Sequence, residues 1–372
     1  MFYENSLCLS CNRGTGFDPA SHTMLSLDVG ENGTWQREGR KWKFCANLNS
    51  CGCNWLLPAD SADTLCPACA TTRTLPTLTT PGNAGRWQSL ETAKRRLLYS
   101  LLDFNLWGPG CRLKPKFPLV FDFLESTGGQ AVTTGHENGV ITINVAEADD
   151  DERERMRVSL HEPYRTLLGH LRHEVGHYYW DVLIQDGPFL QECRSFFGDE
   201  TADYGAAMQR YYNEGAPANW QENFVSAYAT MHPWEDWAET WAHCIHMRDT
   251  LDTAMQSELS TALAGSEYEP DVFWGIVGAT KEQAADFTQR LKRWSATVIQ
   301  ANELSRSMGQ PDVYPFALTL PVLKKIFFVE RVIEKSSGET SFAPQPAAEA
   351  SKQKRRWFWQ RQGAGNQVKA AS

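Results

Sequence analysis

Two histidines and a glutamate near the middle of the chain have the residue types and spacing of a zinc site. His173, Glu174 and His177 form an H-E-x-x-H run. Residues four apart lie on the same face of an α-helix, so both imidazoles could bind a single Zn²⁺. Glu174 could then take a proton from a water molecule activated by the metal, as in zinc hydrolases. The alternative is a chance match on an amphipathic helix, a risk that accompanies every short motif.

A helix must carry this run if its side chains are to converge. Apolar residues recur at helical spacing before and within it, at Leu167, Leu168, Leu171 and Val175. Proline is suited to the first helical turn, and a Gly-Pro pair ends helices. We therefore predict a helix that has Pro163 in its first turn and ends before Gly187 and Pro188.

A third metal ligand is expected from a second helix, because a catalytic zinc usually takes three protein ligands and leaves a position for water. His232 and Pro233 are typical of a helix start, and Glu235 and Glu239 follow on one face. We predict Glu235 as the third ligand and Glu239 as the hydrogen-bond acceptor that fixes the tautomer of a ligand histidine. Alternatively, the helix dipole alone favours glutamates near a helix start.

Glu200 is a rival third ligand, at the shorter separation seen in thermolysin-like enzymes. Asp199 or Asp203 would then accept the hydrogen bond from a ligand histidine. We favour Glu235 because Tyr228 lies seven residues before it.

The segment from Tyr228 to Glu239 reads Tyr-x6-Glu-x2-Ala-Glu, which resembles the third-ligand segment of the lethal-factor-like zinc peptidases, a gluzincin type. The resemblance implies that Tyr228 points at the metal site and stabilises the oxyanion of the tetrahedral intermediate. A buried core tyrosine is the alternative.

A wider stretch, residues 87–327, resembles the bacterial zinc-binding metallopeptidases that carry an N-terminal zinc ribbon. The segments that carry this resemblance are 93–101, 135–149 and 172–180. The resemblance implies a soluble zinc peptidase of gluzincin type and says little about its substrate.

The cysteines predict a second kind of zinc site. Seven of the ten precede residue 70: Cys8, Cys11, Cys45, Cys51, Cys53, Cys66 and Cys69. Two C-x-x-C knuckles without a secretory signal favour a zinc ribbon over a disulfide framework, because cytosolic thiols stay reduced. We predict one S₄ site formed by Cys45, Cys53, Cys66 and Cys69.

The remaining cysteines are less clearly placed. Cys8 and Cys11 are also expected to bind ribbon zinc. The resembling family is expected to have a further knuckle upstream of the segment that corresponds to residues 1–5, so their partners stay open. Cys51 is either a substitute ligand or a free thiol. Cys111, Cys193 and Cys244 stand alone and are expected to be small core residues.

Composition limits the classes of protein. The 372 residues are 42% hydrophobic and include 14 Trp, enough for a large core and two or three domains. The net charge of −9, from 36 Lys and Arg against 45 Asp and Glu, argues against a nucleic-acid partner. No apolar run is long enough to cross a membrane, and we expect a cytoplasmic protein.

We predict an α+β fold with three parts. Residues 1–75 form the zinc ribbon module, residues 76–335 a mainly helical zincin-like metallopeptidase domain with a small β-sheet, and residues 336–372 a disordered tail. Residues 87–106 are predicted to be helical. Strands are predicted at 117–123 and at 140–145, the second after an Asn138-Gly139 turn. Strand 140–145 is our candidate edge strand for pairing with an extended substrate, with a plain core strand as the alternative.

The predicted function is zinc-dependent hydrolysis of a peptide or amide bond, with one catalytic and one or two structural zinc ions. The expected partner is a peptide or protein substrate. The ribbon or the tail could also recruit a protein, and a cluster in the tail is suited to docking: Lys352, Lys354, Arg355, Arg356, Trp357, Phe358 and Trp359. The competing hypothesis is a non-catalytic zinc scaffold whose ribbon recruits a protein or nucleic-acid partner.

Overall fold

The N-terminal part of the chain forms a five-stranded antiparallel sheet in a computed structural model that describes residues 3–129, 131–159, 162–257, 259, 269–276 and 278–338. The strands pair in chain order: β1 (Gly14–Asp18), β2 (Thr23–Val29), β3 (Trp35–Arg37), β4 (Arg40–Phe44) and β5 (Leu56–Pro58). Two short helices, α1 (Leu48–Cys51) and α2 (Pro67–Ala70), flank β5 in the chain and carry cysteines. Cysteines of the predicted ribbon site therefore lie in segments next to this sheet.

A second, four-stranded sheet is formed by residues that follow the first sheet in the chain. Its strands are β6 (Thr72–Thr74), β7 (Val120–Leu124), β8 (Gly135–Glu137) and β9 (Val140–Asn144), in the spatial order β6-β7-β9-β8. The β8–β9 pair is antiparallel and the other two pairs are parallel. Asn138 and Gly139, at φ 49° and 81°, form the predicted two-residue turn between β8 and β9.

The prediction that residues 140–145 form an edge strand is wrong. Strand β9 pairs with β7 on one side and β8 on the other, so it is a core strand. Alternating side chains reveal that one face of a strand is buried, but they do not reveal its neighbours. The edge next to β9 is β8, whose three residues show no such alternation.

Nine further α-helices lie in the described part of the chain, and they confirm the α+β class. They are α3 (Asn83–Asp103), α4 (Asp150–Ser159), α5 (Leu167–Leu183), α6 (Leu190–Phe197), α7 (Tyr204–Glu214), α8 (Pro233–Gln256), α9 (Asp271–Trp274), α10 (Lys281–Ser307) and α11 (Leu320–Ser337). Helix α5 packs against α3 and α8, and α8 also packs against α10 and α11. One hydrophobic cluster joins these helices to the ribbon, from Trp55 through Leu97 and Trp237 to Phe328.

The two helix starts that matter for the site differ in how well they were predicted. Helix α8 begins at Pro233 as expected, and the His232 ring accepts a hydrogen bond from the Trp234 amide at 3.1 Å. Pro163, however, lies in the loop before α5 and not in its first turn. The cap of α5 is Thr166, whose hydroxyl accepts the Gly169 amide at 3.0 Å.

Two structural elements, β6 and α11, do not follow the boundaries predicted between the three parts of the chain. Strand β6 belongs to the predicted ribbon module but pairs with β7 of the second sheet. Helix α11 continues to Ser337, two residues into the predicted tail. Residues 339–372, with the basic and aromatic cluster, lie outside the described residues. No described helix combines the length and apolar character needed to cross a membrane.

Candidate active site

Helices α5 and α8 approach each other closely at Gly176, inside the H-E-x-x-H run. A Cβ atom on Gly176 would lie 2.9 Å from Cα of Ala238, so only glycine fits without a backbone shift. Trp237 Nε1 donates a hydrogen bond to the Gly176 carbonyl oxygen at 2.9 Å. A further link is the ion pair between Arg172 on α5 and Asp249 on α8. Packing therefore brings the two predicted ligand segments together.

Three buried side chains converge where these helices meet. His173 Nε2 lies 3.0 Å from Glu235 Oε2, His177 Nε2 lies 3.4 Å from the same oxygen, and the two Nε2 atoms are 3.2 Å apart. Tetrahedral zinc, with ligands at 2.0–2.1 Å, places its ligand atoms about 3.3 Å from one another. Glu235 Oε2 makes no hydrogen bond although it is buried. The three atoms thus fit a zinc ion, with a fourth position left for water.

The two carboxyl groups at this site, of Glu235 and Glu239, are held in the ionised form. Burial alone would raise the pKa of Glu235, but the imidazoles of His177 and His173 lower it well below its usual value. Glu239 Oε1 lies 2.6 Å from Nδ1 of His173. Burial opposes the ionisation of Glu239, yet this hydrogen bond lowers the pKa of the carboxyl to about 2. An ionised Glu239 is placed to hold the Nδ1 proton and leave Nε2 free for a metal.

Glu174 and Tyr228 lie beside this group without belonging to it. Glu174 is buried on α5 between the two histidines in sequence, and its Oε1 lies 3.9 Å from His170 Nε2. The Tyr228 ring is centred 6.0 Å from the ring of His173. Burial and the nearby Glu235 carboxylate raise the pKa of Tyr228, so its phenol keeps its proton and can donate a hydrogen bond.

The rival ligand Glu200 is directed elsewhere. Its carboxylate pairs with Arg194, at 2.9 Å to Nε and 2.6 Å to the terminal nitrogen. Asp199 accepts hydrogen bonds from Thr201, and Asp203 caps α7 by accepting the Ala206 amide at 2.9 Å. The structure therefore does not bring the alternative set to the two histidines.

Sequence reasoning missed two polar groups at this site. His170, one turn before Glu174, bonds through Nδ1 to Glu147, which also accepts the Thr134 hydroxyl. The Tyr204 hydroxyl donates to Glu235 Oε1 at 2.8 Å. The helical spacing of His170 and Glu174 was a usable signal for the first group. No spacing connects Tyr204 with Glu235, because their contact depends on how two helix starts pack.

The ribbon cysteines form a four-sulfur group. The Sγ atoms of Cys45, Cys53, Cys66 and Cys69 lie within 4.8 Å of one another and all four residues are buried. The Cys53 and Cys66 sulfurs are 3.6 Å apart, near the roughly 3.8 Å expected for two ligands of a tetrahedral zinc with Zn–S of 2.3 Å. The amide of Cys66 donates to Cys45 Sγ at 3.3 Å, and that of Cys69 to Cys66 Sγ at 3.4 Å. This donor set fits a structural zinc.

The structure does not bring Cys8 and Cys11 to this group. They lie on a turn before β1, closed by the Asn12 amide bonding to the Cys8 carbonyl oxygen, and Cys11 is exposed. Hydrogen bonding with Cys11 lowers the pKa of the Cys8 thiol. The pair does not join the four-sulfur group, and its metal binding stays a prediction.

The other cysteines differ in their surroundings. Cys51 Sγ lies within 4.8 Å of Cys69 Sγ and a Glu91 carboxylate oxygen, which makes it a fifth sulfur at the ribbon site. Cys193 and Cys244 are buried in the core, and the partly buried Cys111 donates to the Leu106 carbonyl oxygen. Across the described residues, none of these last three joins a group that could hold a metal.

Comparisons with known proteins agree with both sites. A family model described as "Putative zinc-binding metallo-peptidase" matches residues 83–332, and a zinc-ribbon domain model matches residues 1–80. Proteins from Mycobacterium tuberculosis, strains H37Rv and CDC 1551, and from Mycobacterium bovis are each 40% identical over 334 residues, 90% of this chain and 92% of theirs. Each of the three is named as an uncharacterised protein. No solved structure matches the chain significantly. The chain therefore belongs to this zinc-binding metallopeptidase family and carries its zinc ribbon at the N-terminal end.

Proposed function

We propose that the chain is a zinc-dependent peptidase that hydrolyses peptide or amide bonds at the site of His173, His177 and Glu235. The observation that carries this proposal is Glu174, which is buried on α5 between His173 and His177 in sequence but is not one of the three candidate ligands. A site that only tied two helices together would need no such group. A hydrolase needs a base there.

The residues divide the chemistry between them. A zinc ion at this site would supply a Lewis acid that polarises the scissile carbonyl and makes a water molecule more acidic. Glu174 accepts the proton of the attacking water and delivers it to the leaving amine. Tyr228 donates a hydrogen bond to the carbonyl oxygen as negative charge develops on it. Glu239 orients His173 throughout.

Strand β8 is the proposed docking edge for the substrate backbone. It is an edge of its sheet, and it packs against α5, which carries the two histidines and Glu174. An extended peptide could add to such an edge through main-chain hydrogen bonds. This role replaces the one that the sequence suggested for residues 140–145.

The proposal is tested with Glu174→Gln, which keeps the shape of the side chain but cannot take up the proton. We expect the variant to retain its zinc content and to cleave a mixed peptide library about 10²- to 10⁴-fold more slowly than the parent. Zinc is measured by elemental analysis and cleavage by mass spectrometry. Glu200→Gln is the matched control, because Glu200 pairs with Arg194 away from the site, and it should cleave like the parent.

Two outcomes would overturn the proposal. Equal cleavage by the parent and Glu174→Gln would assign the activity to another site or to a contaminant. If neither protein cleaves any peptide or amide while both bind the same partner through the ribbon, the chain is a zinc scaffold.

A further inference from the structure

Tyr204 contacts one oxygen of Glu235 and leaves the other for the metal. Its hydroxyl donates to Oε1 at 2.8 Å, whereas Oε2 faces the Nε2 atoms of His173 and His177 at 3.0 and 3.4 Å. The two oxygens of one buried carboxylate therefore have different environments. Oε1 is bound to a phenol, and Oε2 makes no hydrogen bond.

The position of Tyr204 is fixed by the start of α8. His232, the cap of α8, lies against the Tyr204 ring with centroids 5.2 Å apart, and its Nε2 donates to the Ala202 carbonyl oxygen at 3.1 Å. The Trp234 ring is centred 6.1 Å from the same tyrosine. The start of α7 is thus bound to the turn of α8 that carries Glu235, so the phenol and the carboxylate are held by the same contacts.

We propose that Tyr204 is a positioning residue that holds Glu235 as a one-oxygen zinc ligand. The inference rests on the proposed zinc site but not on its peptidase activity. A carboxylate with both oxygens available can bind zinc through both, and the second oxygen would occupy the position that a catalytic zinc keeps for water. The hydrogen bond from Tyr204 engages Oε1 and so disfavours zinc binding through both oxygens of Glu235. Partners of this kind typically contribute ten- to a hundred-fold to metal affinity.

This role differs from the one proposed for Tyr228. Tyr204 bonds to a ligand oxygen. The Tyr228 ring is tilted by 47° to the His173 ring with centroids 6.0 Å apart, and its hydroxyl is proposed to donate to the substrate. Removing the Tyr204 hydroxyl should therefore change the metal site itself. Removing the Tyr228 hydroxyl should change turnover and leave the metal site as it is.

The test compares Tyr204→Phe with Tyr228→Phe, and uses Tyr212→Phe, at an exposed tyrosine, as the control. Zinc affinity is measured by competition with a chelator, and the zinc retained in the ribbon reports that the variant is folded. We expect Tyr204→Phe to weaken zinc binding at the helical site about ten- to a hundred-fold. The visible spectrum of the Co²⁺-substituted variant should change, because a second carboxylate oxygen in place of water would distort the tetrahedral arrangement. Tyr228→Phe and Tyr212→Phe should match the parent in both measurements.

A double-mutant cycle makes the assignment specific. In a Glu235→Ala background, Tyr204→Phe should cause no further loss of metal affinity, because the two residues act through one contact. Parent-like zinc affinity and Co²⁺ absorption in Tyr204→Phe would overturn the proposal, as would a loss of turnover without either change, which would make Tyr204 a donor to the substrate. If the protein cleaves nothing but Tyr204→Phe still weakens metal binding, the peptidase proposal fails and the positioning role stands.

Discussion

The ribbon site and the helical site both fit zinc, but they are built in opposite ways. The ribbon offers four thiols from one short stretch of chain, all at most 2% exposed, with backbone amides donating to two of the sulfurs. The helical site offers three side chains from α5 and α8 and has two further polar residues, Glu174 and Tyr228, beside it. A closed S₄ set is typical of a structural zinc, and a three-ligand set of a catalytic one.

The two sites also differ in what holds their ligands in place. Helices α5 and α8 are joined by packing at Gly176, by the Trp237 hydrogen bond and by the pair of Arg172 with Asp249. The ribbon cysteines lie on short turns and two four-residue helices. We infer that the ribbon needs its metal in order to fold, whereas the helical site is largely formed without it.

The largest effect is expected for Cys66→Ala, which removes one ribbon ligand. The protein should lose one equivalent of zinc, and its melting temperature should fall by about 10 °C or more, because structural zinc contributes directly to folding. The fall should involve the whole protein, since the ribbon shares a hydrophobic cluster with α3, α5 and α8. Elemental analysis and thermal denaturation measure both quantities.

Cys193→Ala is the matched control for that experiment, because Cys193 is a buried cysteine outside every metal group among the described residues. It should keep all its zinc. If Cys66→Ala has the same zinc content as the parent, the assignment of a four-cysteine zinc site is wrong.

A loss of metal with less effect on the fold is expected for His177→Ala. This variant should lose one equivalent of zinc and all turnover. The ribbon should keep its metal, because its four cysteines lie outside α5 and α8, which form the helical site. Its melting temperature should fall less than that of Cys66→Ala. His246→Ala, which removes a partly buried histidine of α8 that contacts Arg172, should keep both sites loaded. Unchanged zinc in His177→Ala would exclude the helical metal site.

The sequence predicted the parts of the site that depend on local spacing. The pairing of His173 and His177 as zinc ligands follows from helical periodicity. The start of α8 follows from a proline after a capping residue. Glu235 is favoured by the resemblance of the segment from Tyr228 to Glu239 to the third-ligand segment of the lethal-factor-like zinc peptidases, and the structure places it with the two histidines. These features lie within one or two helical turns of chain, so a single sequence contains them.

The features that the sequence did not predict depend on neighbours in space. Strand β9 has the alternation of a half-buried strand, but only the sheet order shows that it is internal. The segment 197–204 offers Glu200 as a possible ligand in sequence, but in the structure it contributes Tyr204. Pro163 was favoured for the α5 start by its general preference, but Thr166 provides the cap hydrogen bond. Such contacts depend on tertiary packing.

Intermediate effects on zinc affinity are expected for variants at and near Glu235. Their order distinguishes the metal ligand from the residue that only supports a ligand. Glu235→Ala should weaken zinc binding at the helical site most, and Glu239→Ala should weaken it about ten- to a hundred-fold through loss of the His173 hydrogen bond. Glu200→Ala should bind zinc like the parent, because Glu200 pairs with Arg194. Chelator competition gives the order. A larger loss in Glu200→Ala than in Glu235→Ala would move the third ligand to Glu200.

The smallest effect is expected for Cys51→Ala, which tests whether the fifth sulfur belongs to the ribbon site. Cys51 is fully buried and lies near Cys69, but its Sγ accepts a hydrogen bond from Arg95 at 3.7 Å, and Arg95 also donates to the Cys51 carbonyl oxygen at 3.2 Å. Four other thiols already complete a tetrahedron. We therefore expect unchanged zinc content and a loss of about 1 kcal/mol in the free energy of unfolding, typical of removing one small buried group. In the same measurements Cys69→Ala should lose an equivalent of zinc. If Cys51→Ala loses the metal and Cys69→Ala keeps it, Cys51 is the fourth ligand, and the ribbon site is formed by Cys45, Cys51, Cys53 and Cys66.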